Sequence, residues 1–339
     1  MANLKNTNID DTGFLELPSG TEAERPSNPQ TGMIRFNTDI QLVEVYDGIE
    51  WGPLVEIPID AQGGSVTEVT DGGESFRVHT FTSSGNFTVN QAPSGSTVEY
   101  LVVGGGGGGG FRHGGGAGAG GVVAGTDYEV SVGSYGVTVG SGGNGGTSQG
   151  GQQGDNSQFD VFTAIGGGGG HSFDGPAPNN AAGGSGGGGA ISGDRRSGAA
   201  LQPSSADGGF GNPGGMSFVN SSPYNHGGGG GAGQAGQSGG SNRTGNGGDG
   251  IESSISGTSQ YYAGGGAGGS HPTHPPNFGV GGLGGGGGPS NINSTNDYAT
   301  RNGIPNTGGG GTGGSKNFPV DEPPGGDGGS GIVIIRYPI

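Results

Sequence analysis

The chain has 339 residues, of which 93 are glycine and 20 are proline, and only 27% are hydrophobic. This composition supplies too few apolar side chains for a large conventional core, and the glycines keep no strict three-residue period, which excludes collagen. The formal net charge of −17 makes nucleic acid an unsuitable partner, because binding to phosphates needs clustered cations. With no cysteine in the chain, disulfide and thiolate chemistry are excluded.

Residues 1–60 are predicted to form an N-terminal attachment region that contains a small β-hairpin. Strand-like segments cover 33–37 and 42–46, an Asp-Gly turn follows, and Trp51 ends the pattern. We expect Trp51 to be a packing anchor. Because a hairpin of this size is marginally stable alone, we expect it to pack against copies of itself or against a partner fibre.

A small antiparallel β core is predicted within a glycine-rich domain that covers 76–339, after a linker at 61–75. Residues 76–139 contain several strand-like segments, and 331–337 form another at the end of the chain. We expect this last strand to pair near residues 97–103, so that the β core holds both ends of the glycine-rich part. No long amphipathic helix is predicted.

The glycine runs between residues 104 and 330 are predicted to form a bundle of polyglycine-II helices. The longer runs are 104–110, 114–116, 166–170, 186–189, 227–231, 264–266, 284–288 and 308–311. Such a helix has three residues per turn and no internal hydrogen bonds, so neighbouring backbones must satisfy its N–H and C=O groups. Only glycine allows that close approach. The alternative is that the runs are disordered or loosely ordered. The predicted fold class is mainly β plus this bundle, with little or no α-helix.

A set of short motifs is spread over the glycine-rich domain. They are the strand pattern at 78–89, the apolar segment 98–103 that leads into seven glycines, the segment 254–266, Asn306-Thr307 before a glycine run, and the closing segment 328–337. Together they resemble the glycine-rich domain of bacteriophage tail-fibre and receptor-binding proteins. The hairpin near the N-terminus is similar to a module common in phage tail-fibre proteins. The resemblance implies a glycine-helix sandwich like that of the distal adhesins of T-even-type phages, whose tip loops meet the host receptor.

The segments between the runs are the candidate receptor-binding loops. If the runs alternate in direction, the loops expected at the distal end are 111–113, 171–182, 216–226, 270–283 and 312–327, and the inserts 190–207 and 289–307 are expected at the opposite end. Aromatic, histidine and arginine side chains on rigidly held loops suit binding. The candidate receptor-binding residues are Phe111, Arg112, His113, His171, Phe173, Phe218, Tyr224, His226, His271, His274, Phe278 and Phe318. The alternative for each aromatic side chain is that it fills a gap beside the glycine helices.

No catalytic residue, metal site or cofactor is predicted. His271 and His274 have H-x-x-H spacing, but Pro272 and Pro275 argue against a helix, and zinc requires about four ligands. We therefore expect exposed loop histidines rather than a metal site.

These features predict a non-enzymatic phage tail-fibre or adhesin protein. Its expected partners are a bacterial surface receptor, either a polysaccharide or an outer-membrane protein, and other phage tail or fibre proteins. A homotrimer is expected from the resemblance. The N-terminal sequence lacks the apolar segment of a signal peptide, so we expect synthesis in the host cytoplasm and a place in the virion. The alternatives are a structural appendage or filament subunit and an ice-binding glycine-helix protein.

Overall fold

The computed structural model describes residues 16–54, 58–172, 181–190, 197–202, 209–218, 224–270, 278–288, 298–315 and 324–339. The chain divides into two compact units, Met1–Pro58 and Ile59–Ile339. The described residues are mainly β, with a single α-helical turn, α1 (Tyr298–Arg301), and a 3-10 turn at Glu22–Glu24. None of their helices has the length and apolar character needed to cross a membrane. The mainly β fold class with little helix is therefore confirmed.

The N-terminal unit is a four-stranded sheet built on the predicted hairpin. Its strands, in spatial order, are β1 (Ser19–Gly20), β2 (Ile34–Asn37), β3 (Leu42–Tyr46) and β4 (Trp51–Pro53). β2 and β3 are antiparallel, with Ile34 opposite Val45. Trp51 packs beside Tyr46, with 5.6 Å between the two ring centroids. The predicted hairpin is confirmed, and the indole ring packs within its own sheet.

The interval 61–75, expected to be a linker, contains strands instead. The strands are β5 (Asp60–Gln62), β6 (Ser65–Asp71) and the start of β7 (Glu74–Phe81). The glycine pairs at 63–64 and 72–73 have φ values between 61° and 123°, which glycine adopts without a steric penalty. These pairs therefore form tight turns between short strands, and the prediction of a linker is wrong.

The larger unit contains two sheets that share one apolar core. Its further strands are β8 (Gly85–Gln91), β9 (Thr97–Val103), β10 (Val122–Glu129), β11 (Gly133–Thr138), β12 (Ser157–Phe159), β13 (Phe162–Ala164), β14 (Gly209–Phe210), β15 (Ile251–Ser253), β16 (Gln260–Tyr262) and β17 (Ile332–Pro338). One sheet has the order β14-β10-β9-β17-β7-β6 and the other β13-β12-β11-β8-β5. Phe87 and Phe159 from the second sheet pack with Tyr100 and Tyr337 from the first, and all four are at most 4% exposed. β15 and β16 form a separate hairpin.

The last strand holds the two ends of the glycine-rich part together. β17 lies between β9 and β7, with Ile332 opposite Val103 and Val333 opposite Phe81. The expected pairing of the last strand with residues 97–103 is confirmed. Since β9 leads into the first glycine run and β17 follows the last one, the β core begins and ends the glycine-rich part.

All but one of the longer glycine runs are buried, and the hydrogen bonds of the run 104–110 follow a three-residue repeat. The exception is 284–288, which is half-buried and turns at Gly284 and Gly285, with φ values of 96° and 89°, so it is not the extended segment that was predicted. In the run 104–110, every third N–H donates to the same neighbouring segment, at N···O distances of 2.8 to 3.0 Å. Gly104, Gly107 and Gly110 donate to the segment 115–121, Gly105 and Gly108 donate to 152–155, and Gly106 and Gly109 donate to 326–329. The N–H groups of this run thus donate to three segments, one for each residue of the repeat, and its carbonyl groups accept from three further segments, at 143–146, 167–170 and 311–314.

Close backbone contact explains why these positions are glycine. A Cβ placed on Gly106 would lie 2.0 Å from the carbonyl oxygen of Gly309, and one on Gly107 would lie 2.3 Å from that of Gly168. Both distances are far below any allowed carbon–oxygen contact. The neighbouring backbones therefore occupy the volume that a side chain would need.

The glycine segments alternate in direction, which creates two ends. The run 104–110 leaves β9, the chain turns at 111–113, and the segment 114–121 returns to β10 beside it. Segments 140–146 and 151–156 form a second pair of this kind, turning at 147–150. We call the two packed β-sheets the sandwich. The end of the glycine segments at the sandwich is the base, and the end at residues 111–113 is the tip.

Candidate functional site

The turn at Phe111–His113 is the centre of the tip. The Phe111 N–H donates to the carbonyl of Gln149 at 3.1 Å, which joins two tip turns. Arg112 and His113 have φ values of 36° and 52°, in the left-handed region that residues with a Cβ adopt rarely. Phe111 and Arg112 are half-buried. Backbone of this kind is frequent at binding sites, where the surroundings hold it in place.

Three of the candidate histidines are buried beneath the tip. His113, His171 and His226 are 4%, 6% and 0% exposed. The rings of His113 and His226 pack together, with 5.6 Å between centroids and 38° between planes. Burial lowers the pKa of His171, so its imidazole is neutral near pH 7. The expectation of exposed loop histidines is wrong for these three, because their rings fill space between segments whose glycines supply no side chains.

The candidate aromatic residues at 218, 224 and 278 are half-buried at the tip. The Phe218 N–H donates to the carbonyl of Asn225 at 2.9 Å, and the two residues form an isolated antiparallel bridge. Tyr224 precedes Asn225, whose side-chain amide donates to the carbonyl of Gly240. Phe278 precedes a glycine whose N–H donates to the hydroxyl of Thr244. Each ring is thus attached to backbone that is hydrogen-bonded to another segment.

The structure brings most of the described candidate residues to this one end. Phe111, Arg112 and His113 share a turn, and His226 joins them through its ring contact with His113. The carbonyl of His171 accepts from the N–H of Gly115, just after that turn. The candidates Phe173, His271, His274 and Phe318 lie outside the described residues.

Residues 82–338 match the family described as a glycine-rich domain. The chain belongs to the glycine-rich domain family. The matched region of this glycine-rich domain runs from the end of β7 to β17, so it includes the glycine segments and most of the sandwich, and it excludes the N-terminal sheet. A search of curated proteins finds no match.

Serine side chains at the ends of glycine segments were not among the predicted site residues of the glycine-rich domain. The hydroxyl of Ser172 donates to the carbonyl of Phe111 at 3.0 Å, and that of Ser217 donates to Ala190 at 3.1 Å. The buried Ser270 N–H donates to the hydroxyl of Ser315 at 3.2 Å. A serine one or two residues after a glycine run is the sequence signal that marks such a tie between tip segments.

The inserts 190–207 and 289–307 do not turn only at the base, as was expected of them. Ala190 contacts Ser217 at the tip, and the described residues 197–202 run from there towards the base. The second insert follows a run that leads away from the base, and its residue Ile304 returns to the base beside Gly285. The prediction fails because each insert contains a segment that runs between the two ends, in addition to a turn.

The tip presents half-buried aromatic rings and an arginine above buried imidazole rings. This combination offers rigid apolar area, hydroxyl and guanidinium donors, and little conformational entropy to lose on binding. No three side chains of His, Asp or Glu cluster closely enough to hold a metal ion within the part of the chain that the structure describes. The arrangement is suited to non-covalent contact with a surface.

Proposed function

We propose that the protein is a phage tail-fibre protein or adhesin whose tip binds a bacterial surface receptor, and that it carries out no catalysis. The observation that supports this proposal is the collection of Phe111, Arg112, Phe218 and Tyr224 at the end farthest from the β core. Aromatic and arginine side chains contribute most to binding at protein interfaces. The resemblance to tail-fibre proteins stated above supports the same function.

We further propose that the glycine segments form a polyglycine-II bundle that makes the tip rigid. The three-residue repeat of hydrogen-bond partners matches the three residues per turn of that helix. At roughly 3.1 Å per residue, the seven-glycine run has a length of about 22 Å. A bundle held by backbone contacts allows its loops to vary in sequence, because the loops contribute little to the packing of the runs.

The remaining parts of the proposal follow from the adhesin function. The protein is a virion component made in the host cytoplasm, its receptor is a polysaccharide or an outer-membrane protein, and its N-terminal unit attaches to other tail proteins. Homo-oligomerisation, with a trimer as the form expected from the resemblance, is part of the same proposal.

A filament subunit is the less favoured alternative. Polymerisation along strand edges needs an edge that accepts another strand. The edge strand β6 carries Glu68 and Asp71, and charged side chains on an edge discourage such pairing. We therefore retain the adhesin as the proposed function.

The test is the binding of labelled full-length protein to intact cells from a panel of bacterial strains. The variant Tyr224→Ala removes a half-buried ring at the tip, and Tyr261→Ala removes a ring that is 36% exposed on the base hairpin. We expect Tyr224→Ala to weaken cell binding by about ten-fold or more, and Tyr261→Ala to bind as the unaltered protein does.

Two further outcomes complete the test. If both tyrosine variants bind as the unaltered protein does, and Arg112→Ala does too, the tip is not the receptor site. A separate measurement with the unaltered protein distinguishes the two receptor classes. Enzymatic removal of surface polysaccharide abolishes binding to a polysaccharide and leaves binding to an outer-membrane protein intact.

A further inference from the structure

Two neighbouring segments beside the tip carry a non-glycine residue at every third position, with two glycines between. They read Ser-Gly-Gly-Asn-Gly-Gly-Thr at 141–147 and Pro-Gly-Gly-Asp-Gly-Gly-Ser at 324–330. The N–H groups of Gly143 and Gly146 donate to the run 104–110 at 2.9 and 2.8 Å, whereas Asn144 and Asp327 are exposed. The three-residue repeat therefore turns the glycines towards neighbouring backbone and leaves the polar side chains for solvent.

A polar cavity of about 300 Å³ opens between these two segments and the end of α1. Thr147, which lines it, belongs to the turn 147–150, and the carbonyl of Gln149 in that turn accepts from the Phe111 N–H at the centre of the tip. The cavity therefore lies beside the tip. The side chains that line it are those of Thr147, Arg301, Asn302, Pro324 and Asp327, and the rest of the lining is glycine.

Two of these side chains are held in place by backbone N–H groups. The Asp327 Oδ1 atom accepts from the Gly145 N–H at 2.7 Å, and the Asn302 Oδ1 atom accepts from the Asp327 N–H at 2.9 Å. Because an N–H group only donates, the amide oxygen of Asn302 must face Asp327, and the amide nitrogen is the group that remains. Both side chains are thus oriented before any ligand arrives.

Asp327 and Asn302 each keep one polar atom for a ligand. Among the residues that the structure describes, Asp327 Oδ2 accepts no hydrogen bond and Asn302 Nδ2 donates none. The cavity therefore offers one acceptor and one donor on adjacent side chains, with the Thr147 hydroxyl as a third polar group. A sugar hydroxyl both donates and accepts, so two neighbouring hydroxyls match this pair. Since the side chains are already fixed, little entropy is lost on binding.

The charges at the cavity favour a neutral ligand. Arg301 and Asp327 contribute one charge of each sign, and the chain as a whole has a net charge of −17. An acidic polysaccharide would be repelled by the chain and by the exposed carboxylate of Asp327. An apolar ligand would find only the Pro324 side chain to contact. The volume is at the low end of that of small-molecule sites, about 300–1,000 Å³, which suits a short stretch of a sugar chain.

We propose that this cavity binds a neutral saccharide through the carboxylate of Asp327, the amide of Asn302 and the hydroxyl of Thr147. The proposal rests on the adhesin function for the source of the saccharide, which is a bacterial surface polysaccharide. It adds a polar subsite at the side of the tip to the aromatic residues at its end.

The experiment measures binding of the full-length protein to water-soluble polysaccharide extracted from the same panel of bacterial strains. Anion exchange separates each extract into a neutral and an acidic fraction, and biolayer interferometry measures binding to each. At least one neutral fraction is expected to bind. Asp327→Asn keeps the acceptor for Gly145 and turns the other oxygen into a donor, and Asn302→Asp keeps the acceptor for Asp327 and turns the donor into an acceptor. Each variant is expected to bind at least ten-fold more weakly.

The matched control is Asp155→Asn. Asp155 is also exposed, lies on the segment that neighbours 141–147 on its other side, and does not line the cavity. Its carboxylate accepts from the Ser141 hydroxyl at 2.5 Å, and the asparagine keeps an acceptor for that hydroxyl. Since this variant removes the same charge from the chain as Asp327→Asn does, it is expected to bind as the unaltered protein does.

Three results would overturn the proposal. They are binding to no neutral fraction, binding to acidic fractions only, and equal binding by Asp327→Asn and Asp155→Asn when both unfold in urea at the midpoint of the unaltered protein. If Asp327→Asn unfolds earlier, Thr147→Val takes its place, because the Thr147 hydroxyl makes no hydrogen bond within the described part of the chain. That variant must then bind the neutral fraction more weakly.

The two proposals fail in different ways. If Tyr224→Ala weakens cell binding but no neutral fraction binds, the function proposed for the tip stands and the saccharide site does not. If a neutral fraction binds and Asp327→Asn weakens that binding, the saccharide site stands, even when Tyr224→Ala and Arg112→Ala bind cells as the unaltered protein does.

Discussion

Gly107→Ala is the substitution that best tests how the glycine segments are held together. A methyl group at this position would lie 2.3 Å from the carbonyl oxygen of Gly168 and 2.7 Å from its carbonyl carbon. Both atoms are backbone, so neither can rotate out of the way, and the segments must separate. Gly107 N–H donates to Gly118 at 2.9 Å, and Gly118 N–H donates to Gly168 at 2.8 Å, so separation weakens these bonds too.

The expected cost follows from these two effects. Overpacking costs about 1–3 kcal/mol, and each lost hydrogen bond costs about 0.5–1.5 kcal/mol. We therefore expect Gly107→Ala to lower the free energy of unfolding by roughly 2–4 kcal/mol. The control is Gly136→Ala on β11, where nothing lies within 4 Å of the new methyl group. That change should be neutral or stabilising by up to about 1 kcal/mol, because alanine restricts the unfolded chain.

Equilibrium unfolding in urea measures both variants under the same conditions. Far-ultraviolet circular dichroism of each folded variant shows whether the β content is retained. If the free energies of unfolding of the two variants lie within about 1 kcal/mol of each other, close backbone packing does not hold the glycine runs together.

Three predictions concern ionisable side chains. Burial lowers the pKa of His79, so its imidazole is neutral in the folded protein, and the protein should lose stability as the pH falls below about 6.5. The variant His79→Gln keeps a donor for the carbonyl of Gly63. Its free energy of unfolding should therefore change less between pH 7 and pH 5 than that of the unaltered protein. Burial raises the pKa of Glu44, but hydrogen bonds from Arg25 and Asn37 outweigh this effect and hold the pKa below 4.5, so the stability that Glu44 contributes should be lost as the pH falls below that value. Glu44→Gln should lower the free energy of unfolding of the N-terminal unit by about 1–3 kcal/mol. Unfolding followed by tryptophan fluorescence measures this change, and an unchanged midpoint would contradict it. Burial and a hydrogen bond to Asp160 raise the pKa of Tyr128 to about 12. In an absorbance titration, Tyr128→Phe should therefore lack one phenol group that ionises near pH 12. If the missing phenol group ionises near pH 10 instead, the assignment is wrong.

Strand segments were predictable where apolar residues follow a clear period. Residues 33–46 and the pairing of the last strand with 97–103 were predicted because each contains a continuous or alternating apolar pattern. The strands in the interval 61–75 were not predicted, because its glycine pairs have the composition of a linker although they form turns. Only the pairing of β6 with β7 distinguishes the two.

The position of the tip residues in the fold was predictable, and their burial was not. Aromatic, histidine and arginine residues that interrupt glycine runs indicated the tip, and Phe111, Phe218 and Tyr224 do lie there. Whether a ring faces solvent depends on which segments flank it. His226 is fully buried because a ring from another turn, His113, packs against it, and no local pattern in the sequence encodes that contact.

A glycine run has no side chains to fix its position along a neighbouring run, so the register must be set elsewhere. Polar side chains beside the runs do this, because each binds one particular backbone group. Asn212 donates to the carbonyls of Gly231 and Ala232 at 3.0 and 2.8 Å. Asn246 and Asp249, three residues apart, accept from the N–H groups of Val280 and Leu283, also three residues apart, at 3.1 and 2.8 Å.

The shared spacing of three ties these side-chain contacts to the repeat of the glycine hydrogen bonds. A slip of one residue would break both contacts at once and would also turn every N–H towards the wrong neighbour. The few non-glycine residues between the glycine segments thus fix the alignment of these segments, while the glycines provide only the close contact. The turn at 111–113 lies beyond the runs that these contacts align, so a change of its side chains leaves the register of the runs in place.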